Sequence, residues 1–410
     1  MARSRKSLPE KVDMAHLIST GVLASVCPRA LIDEVLAQTG KASQRERRLP
    51  APAVVYYVMA LALWREAPLE EVLRVVCEGL QWLGGGQAGA VRAGKSAISQ
   101  ARTRLGPEVM AQLAQRVLRP LARPDAPGAW YRSWRLMAVD GTCMDVADEA
   151  VNAQHFGYPE ASGGQSAFPQ ARVLGLVECG THAVVAAAIA PYSHSEVAMA
   201  AELLPSKLRA DMLLMADRNF YSFKLWHQVC ASGARLLWRV KSNLGLPVEQ
   251  PLEDGSYLST VYGSQADRAS KRGSRVRVIE YTLAHSATPV QDSYRLVTNI
   301  LDPQAAPALE LAALYHERWE IEGVFDEIKT HMRSSSTVLR SKTPPLVEQE
   351  LWGLLLAHFA VRQLMEQAAW GRQLDPDRLS FVHALRVIKR KMPQAAAIPP
   401  LSACHSGARR

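Results

Sequence analysis

The chain has 410 residues, 48% of them hydrophobic and 21% charged, a balance that excludes a disordered polyelectrolyte and gives room for two or three globular domains. Its 48 Lys and Arg against 39 Asp and Glu leave a net charge of +9 and a pI near 9.3, which favours a polyanionic partner without naming one. Cys27, Cys77, Cys143, Cys179, Cys230 and Cys404 are scattered, with no CxxC pair and no His at zinc-ligand spacing, so neither a disulfide framework nor a zinc module is expected. The apolar stretch from Val54 to Trp64 is too short to span a bilayer, and no signal-peptide core follows the basic start. The expectation is a cytoplasmic protein with no membrane segment.

In chain order, Ala30 to Gln38, Ala53 to Trp64, Leu69 to Leu83 and Ser96 to Leu105 carry apolar residues at three-to-four spacing and read as helices of an all-helical N-terminal domain, residues 1–125. Gly84 to Gly89 breaks the series. Ser96 is a candidate cap for a short helix whose expected exposed positions include Ser99, Gln100, Arg102 and Arg104, side chains suited to phosphates or base edges. An ordinary basic surface helix fits the same pattern.

From Tyr131 the texture changes to strands at Arg135 to Cys143, Ala171 to Cys179, Ala183 to Ala190, Met212 to Ala216 and Ala234 to Lys241, with helices at Glu196 to Leu208 and Phe223 to Ala231. This order predicts a mixed α/β sheet with helices on its faces. Asp140 follows the apolar run Leu136 to Val139, and Asp217 follows Met212 to Ala216. A buried strand end fixes backbone position closely, which suits a catalytic carboxylate; a turn Asp closing a strand is the plainer reading of either one alone.

Residues 244–305 break the alternation and read as a β-rich insertion, with runs at Arg275 to Leu283 and Ser293 to Leu301. Beyond it, Tyr315, Arg318, Glu322 and Lys329 fall within an arc of roughly 60° on a helix turning about 100° per residue. Leu311, Leu314, Ile321, Phe325, Ile328 and Met332 form the apolar stripe beside that arc, while His316, Glu317, Glu320, Glu327 and Thr330 are expected to point away. A carboxylate between cations suits a metal site that handles phosphates; a solvated helix laced by charge pairs is the alternative. Residues 344–410 read as C-terminal helices, Pro344 to Ala369 and Arg378 to Lys391, followed by a tail. His155, His182 and His194 show no metal spacing, and Trp134, Trp238 and Trp319 are expected in the core.

The spacing of Tyr315, Arg318, Glu322 and Lys329 reproduces the Y-R-E-K signature of the IS4-type DDE transposases, and the surroundings of Asp140 and Asp217 resemble that family's first and second acids. The resemblance covers nearly the whole chain, with the helical N-terminal region, Arg45 to Arg48 and Lys95 to Gln100 similar to the family's N-terminal domain. Asn219 stands where the second motif usually has Gly, a residue that tolerates a left-handed turn.

The resemblance implies an RNase-H-like catalytic core at residues 131–343 in which Asp140, Asp217 and Glu322 bind two Mg²⁺ or Mn²⁺ ions. It implies that Tyr315, Arg318 and Lys329 hold phosphates of the element's end, and that the partners are double-stranded DNA, as ends and as target, and a second copy of the chain in the active complex. Tyr294, in the strand ahead of the Glu322 helix, is the insertion's candidate platform for a flipped base; packing on the sheet is its plainer role. A nuclease or phosphatase on the same carboxylates, and a catalytically silent DNA-binding descendant, are the alternatives.

Overall fold

The computed structural model describes residues 14–43, 49–83, 93–161, 164–283, 292–332 and 338–389. Arg45 to Arg48, Gly84 to Gly89 and the tail beyond residue 389 lie outside them. No helix among the described residues is long and apolar enough to cross a membrane.

Six helices come first: α1 Met14–Val26, α2 Arg29–Gln38, α3 Ala51–Leu63, α4 Leu69–Leu83, α5 Lys95–Leu105 and α6 Pro107–Val117. The continuous apolar run of α3 has a simple cause, since every residue from Pro52 to Leu63 is buried and the helix is surrounded on all sides. At α5 the cap position belongs to Gly94, with no side-chain cap bond, so Ser96 sits inside the first turn and does not cap it. Helix α6 starts sharply because Gly106 takes a left-handed φ of 75° and Pro107 fills the first turn, where a missing N–H costs nothing.

The α/β part follows with β1 Trp130–Tyr131, β2 Trp134–Asp145, α7 Ala150–Phe156, β3 Glu160–Ala161, β4 Gly164–Gln165, β5 Gln170–Glu178, β6 Ala183–Pro191, α8 Glu196–Lys207, β7 Met212–Ala216, α9 Phe223–Cys230 and β8 Arg235–Arg239. Next come β9 Gln250–Pro251, β10 Tyr257–Val261, α10 Gln265–Ala269, β11 Ser274–Leu283 and β12 Asp292–Thr298. Helices α11 Ala308–Leu314, α12 Glu320–Asp326, α13 Pro344–Trp370 and α14 Phe381–Lys389 complete the described chain.

The main sheet runs β6-β5-β2-β7-β8-β12-β11-β10-β9, with β1 beside β2. Its first five strands have the RNase-H-like arrangement: β5 runs antiparallel to both of its neighbours, β2 and β6, and β7 and β8 run parallel to β2. The insertion is joined to this core edge to edge, because β12 pairs antiparallel with β8 and carries β11, β10 and β9 outward.

Period-two alternation sends Leu136 and Ala138 of β2, Leu213 and Met215 of β7, and Leu237 of β8 to one face, against Ile321, Phe325 and the α13 residues. Met137, Val139, Leu214, Leu236 and Trp238 face the other side, against Met199 and Leu204 of α8 and Trp226 of α9. The first face shares one core with α1 to α6, because α13 packs on α1, α3 and α6 as well as on β6. The sequence boundaries at residues 125 and 344 are thus crossed by packing: Arg65 pairs with Glu350, and Gln349 donates to the carbonyls of Arg102 and Gly106 at 3.1 and 2.9 Å.

Candidate active site

Alternation explains where the two strand acids stand. Asp140 continues the Leu136 and Ala138 series and Asp217 the Leu213 and Met215 series, so both belong to the sheet face on which α12 packs. They are also neighbours: β2 and β7 are parallel, and Val139 opposite Ala216 is their last paired step, one residue before each acid. Each carboxylate uses Oδ1 to accept from the next backbone N–H, Gly141 N at 2.8 Å and Arg218 N at 2.6 Å. Oδ2 of both is outside those bonds. The Asp217 turn closes by Phe220 N donating to Asp217 O at 3.1 Å, and Asn219 keeps a negative φ, so the turn needs no glycine there.

Glu322 enters from α12, and Arg318 lies between the acids: its Nη1 is 3.9 Å from Asp140 Oδ2 and its Nη2 is 3.7 Å from Glu322 Oε1. The guanidinium is buried, with Nε unpartnered, whereas Glu322 is half exposed. Burial raises the Asp140 carboxyl to about 6, against the Gly141 hydrogen bond and the Arg318 charge, with Glu196 and Asp217 adding to the rise. Lys329 is partly buried one turn beyond α12, and its charge reaches Cys143 of β2.

The donor set of Asp140, Asp217 and Glu322 is all oxygen, as hard divalent ions prefer, and the free Oδ2 atoms leave it capacity to bind one. The carboxylates fit such an ion, in an open rather than a closed arrangement. Among the described residues, the trio of possible ligand atoms lying within 4.8 Å of one another is a different one, His182, Glu320 and Asp377. There Arg362 already supplies the cation, with Nη2 2.5 Å from His182 Nδ1 and an ion pair to Glu327. That cluster reads as a partly buried ion-pair network.

Three expectations are corrected by position. Arg102 is buried rather than exposed, its donors used inside the protein on Gln349 Oε1 at 2.8 Å, Ser341 Oγ at 3.0 Å and Leu346 O at 2.9 Å; Ser99, Gln100 and Arg104 are exposed as expected. Tyr315, expected at a phosphate, is 2% exposed and donates to Ala216 O at 3.3 Å, one residue before Asp217. Glu327 does not point away: it is buried against His358 Nε2 at 2.8 Å and Arg362.

Two more residues differ in setting. Trp319 is 50% exposed rather than in the core, with the Arg318 guanidinium 5.1 Å from its ring centre. Tyr294 is partly buried, stacked on Tyr281 at 5.2 Å with the Arg239 guanidinium 4.0 Å from its ring centre, so a base would have to displace one of them. Sequence reasoning passed over Glu196 and the Glu327, His358 and Arg362 network, because their neighbours are distant in the chain. Cys27, Cys77, Cys143, Cys179 and Cys230 are free thiols, as expected.

Comparison with known proteins identifies the family. Residues 17–115 match the model of the insertion element 4 transposase N-terminal region, and residues 134–360 match that of the transposase DDE domain. The chain is 30% identical over 365 residues to transposase InsG for insertion sequence element IS4 of Escherichia coli, covering 88% of this chain and 80% of that one. It is 24% identical over 291 residues to a putative transposase, InsZ, of the same organism, covering 67% and 94%. The cryo-EM structure of the piggyBac transposase synaptic complex with hairpin DNA aligns over 92% of this chain and 81% of its own at 10% identity, with a TM-score of 0.45 too low to argue from. With a DDE-domain match across more than half its length and a 30%-identical relative along most of it, the chain belongs to the IS4 family of DDE transposases.

Proposed function

We propose that this transposase binds the ends of its insertion sequence, cleaves them and joins them to target DNA by phosphoryl transfer at Asp140, Asp217 and Glu322. What supports the reading is that two strand-end acids are neighbours and that one of them, Asp140, shares a buried guanidinium with a helix carboxylate, Glu322. Two Mg²⁺ or Mn²⁺ ions, when bound by these carboxylates, supply activation of the attacking water or 3′-OH and stabilisation of the leaving oxygen.

The chain's own residues do the rest. Arg318, held between Asp140 and Glu322, keeps the carboxylates from collapsing apart by mutual repulsion and presents N–H donors to a phosphate. Lys329 adds a point charge for the scissile strand, and Arg104 on the exposed face of α5 contacts the backbone farther along the end. Tyr315 fixes the Ala216 peptide and so the direction of Asp217. The helical N-terminal part, residues 1–125, is the end-binding part, and residues 131–343 the catalytic one. Joining two ends needs two such centres, so the working form is a homodimer on DNA.

Purified protein with Mg²⁺ and duplexes carrying the sequences that flank the gene tests this. Cuts at the flanking ends, and none in internal sequence, are expected. Cutting of any duplex regardless of sequence would make the protein a nuclease instead.

A further inference from the structure

On the face of β2 opposite Asp140, Gly141 has no side chain, and Glu196 fills the place one would take. A Cβ built there would stand 2.4 Å from Glu196 Oε1 and Cδ and 2.6 Å from Cγ. Real Cβ atoms essentially never come so close, so any side chain at position 141 would displace the Glu196 carboxylate.

Glu196 is held there by design of its surroundings. It opens α8 behind Ser195, whose hydroxyl accepts from Ala198 N at 3.2 Å. Arg172 Nη1 donates to Glu196 Oε1 at 2.7 Å, and Arg172 is itself fixed by donating to Tyr192 O at 3.1 Å, with its guanidinium 5.0 Å from the Tyr192 ring centre. A Glu in the first turn of a helix is favourable for its own sake. That preference does not require it to press on a strand backbone one residue beyond Asp140.

The Gly141 residue is consequently flanked by two carboxylates: Asp140 Oδ1 accepts from its N–H at 2.8 Å, and Glu196 covers its Cα.

We propose that Glu196, held by Arg172, is a fourth acidic group of the divalent-ion site, a positioning residue that acts on Asp140 through Gly141. The proposal rests on the reading of Asp140 as an ion ligand. Its two contributions are negative charge for the ion and a fixed backbone for the ligand beside it.

The test is Mn²⁺ titration of the full chain without DNA, with free ion read by electron paramagnetic resonance. Glu196→Gln is expected to raise the apparent Kd about tenfold, the lower range for groups that support a metal ligand. Its melting temperature in EDTA and its metal-free binding of end DNA should match the wild type. Gly141→Ala, at a strand position with ordinary backbone angles, evicts the same carboxylate and should give a similar rise, with the double variant no worse than either. Asp140→Asn is the control and should lose Mn²⁺ binding. Wild-type Kd in Glu196→Gln, with binding lost in the control, overturns the role of Glu196 and leaves the ion site standing. Unchanged binding in the control itself overturns both.

Discussion

Tyr315 spends its hydroxyl on Ala216 O at 3.3 Å, and burial pushes the phenol well above its ordinary range, so it stays neutral and acts by position. Tyr315→Phe keeps the ring and removes the hydroxyl, with its bond to Ala216 O, worth about 1 kcal/mol, and its contact with Arg318. Strand cleavage is expected to slow about fivefold with end binding unchanged. A variant that cuts normally but binds ends more weakly would return Tyr315 to the DNA. Arg102 and Arg104, two residues apart on α5, make a sharper pair. Arg102→Ala strips donors from Gln349, Ser341 and Leu346 and should cost about 3 kcal/mol of stability in urea. Arg104→Ala should instead leave stability alone and reduce the salt dependence of end binding by about one ion. Reversal of these two outcomes would put Arg102 back at the interface.

At the scale of elements, the segment after α11 does not wind evenly. Residues 315–319 form a 3-10 turn, 320–326 an α-helix and 327–331 a π-helical turn. An even 100° step places Glu327 outward; the wider last turn brings it inside, where His358 and Arg362, one turn apart on α13, meet it. The even wheel nevertheless put Arg318 and Glu322 on one face, because four residues across the 3-10 turn and the start of α12 still make about one turn. The strands were legible for the same kind of reason: β2, β7 and β8 are buried on both faces, and a buried strand must be a short unbroken apolar run. Helix α6 was missed although Gly106 and Pro107 mark its start, and α7 is too short for periodicity to register.

The same buried network fixes a pH dependence. Burial lowers His358 to about 3 from its ordinary 6.5, among Glu327, Arg362 and, through Arg362, His182. As pH falls from about 6.5 the unfolded chain binds a proton that the folded chain refuses, so stability is complete above that window and lost within it. The slope from this one group approaches about 1.4 kcal/mol per pH unit. Comparing urea midpoints at pH 7 and 5.5, His358→Asn should lose less stability than the wild type over that step. Equal losses would mean that His358 is charged or accessible in the folded protein.

At the scale of the molecule, the catalytic sheet is a hub. The insertion lengthens it through β12 and β8, and α13 lies between the sheet and the N-terminal helices, sharing one core with both. Sequence alone gave the order of parts but not this closure, since Arg65 to Glu350 and Arg102 to Gln349 join residues more than two hundred positions apart. A consequence is that α5 is tied to the catalytic sheet through α13.

The central claim is that Asp140, Asp217 and Glu322 form one strand-cutting centre that is separate from end recognition. Single-turnover cleavage of an end duplex in Mg²⁺ by Asp140→Asn, Asp217→Asn and Glu322→Gln, with end binding measured in EDTA, tests it most directly. Each variant should cut at least about a thousandfold more slowly, about 4 kcal/mol of barrier, while binding the end within about twofold of wild type. Cleavage at the wild-type rate by any one of them would contradict the claim and remove that residue from the centre.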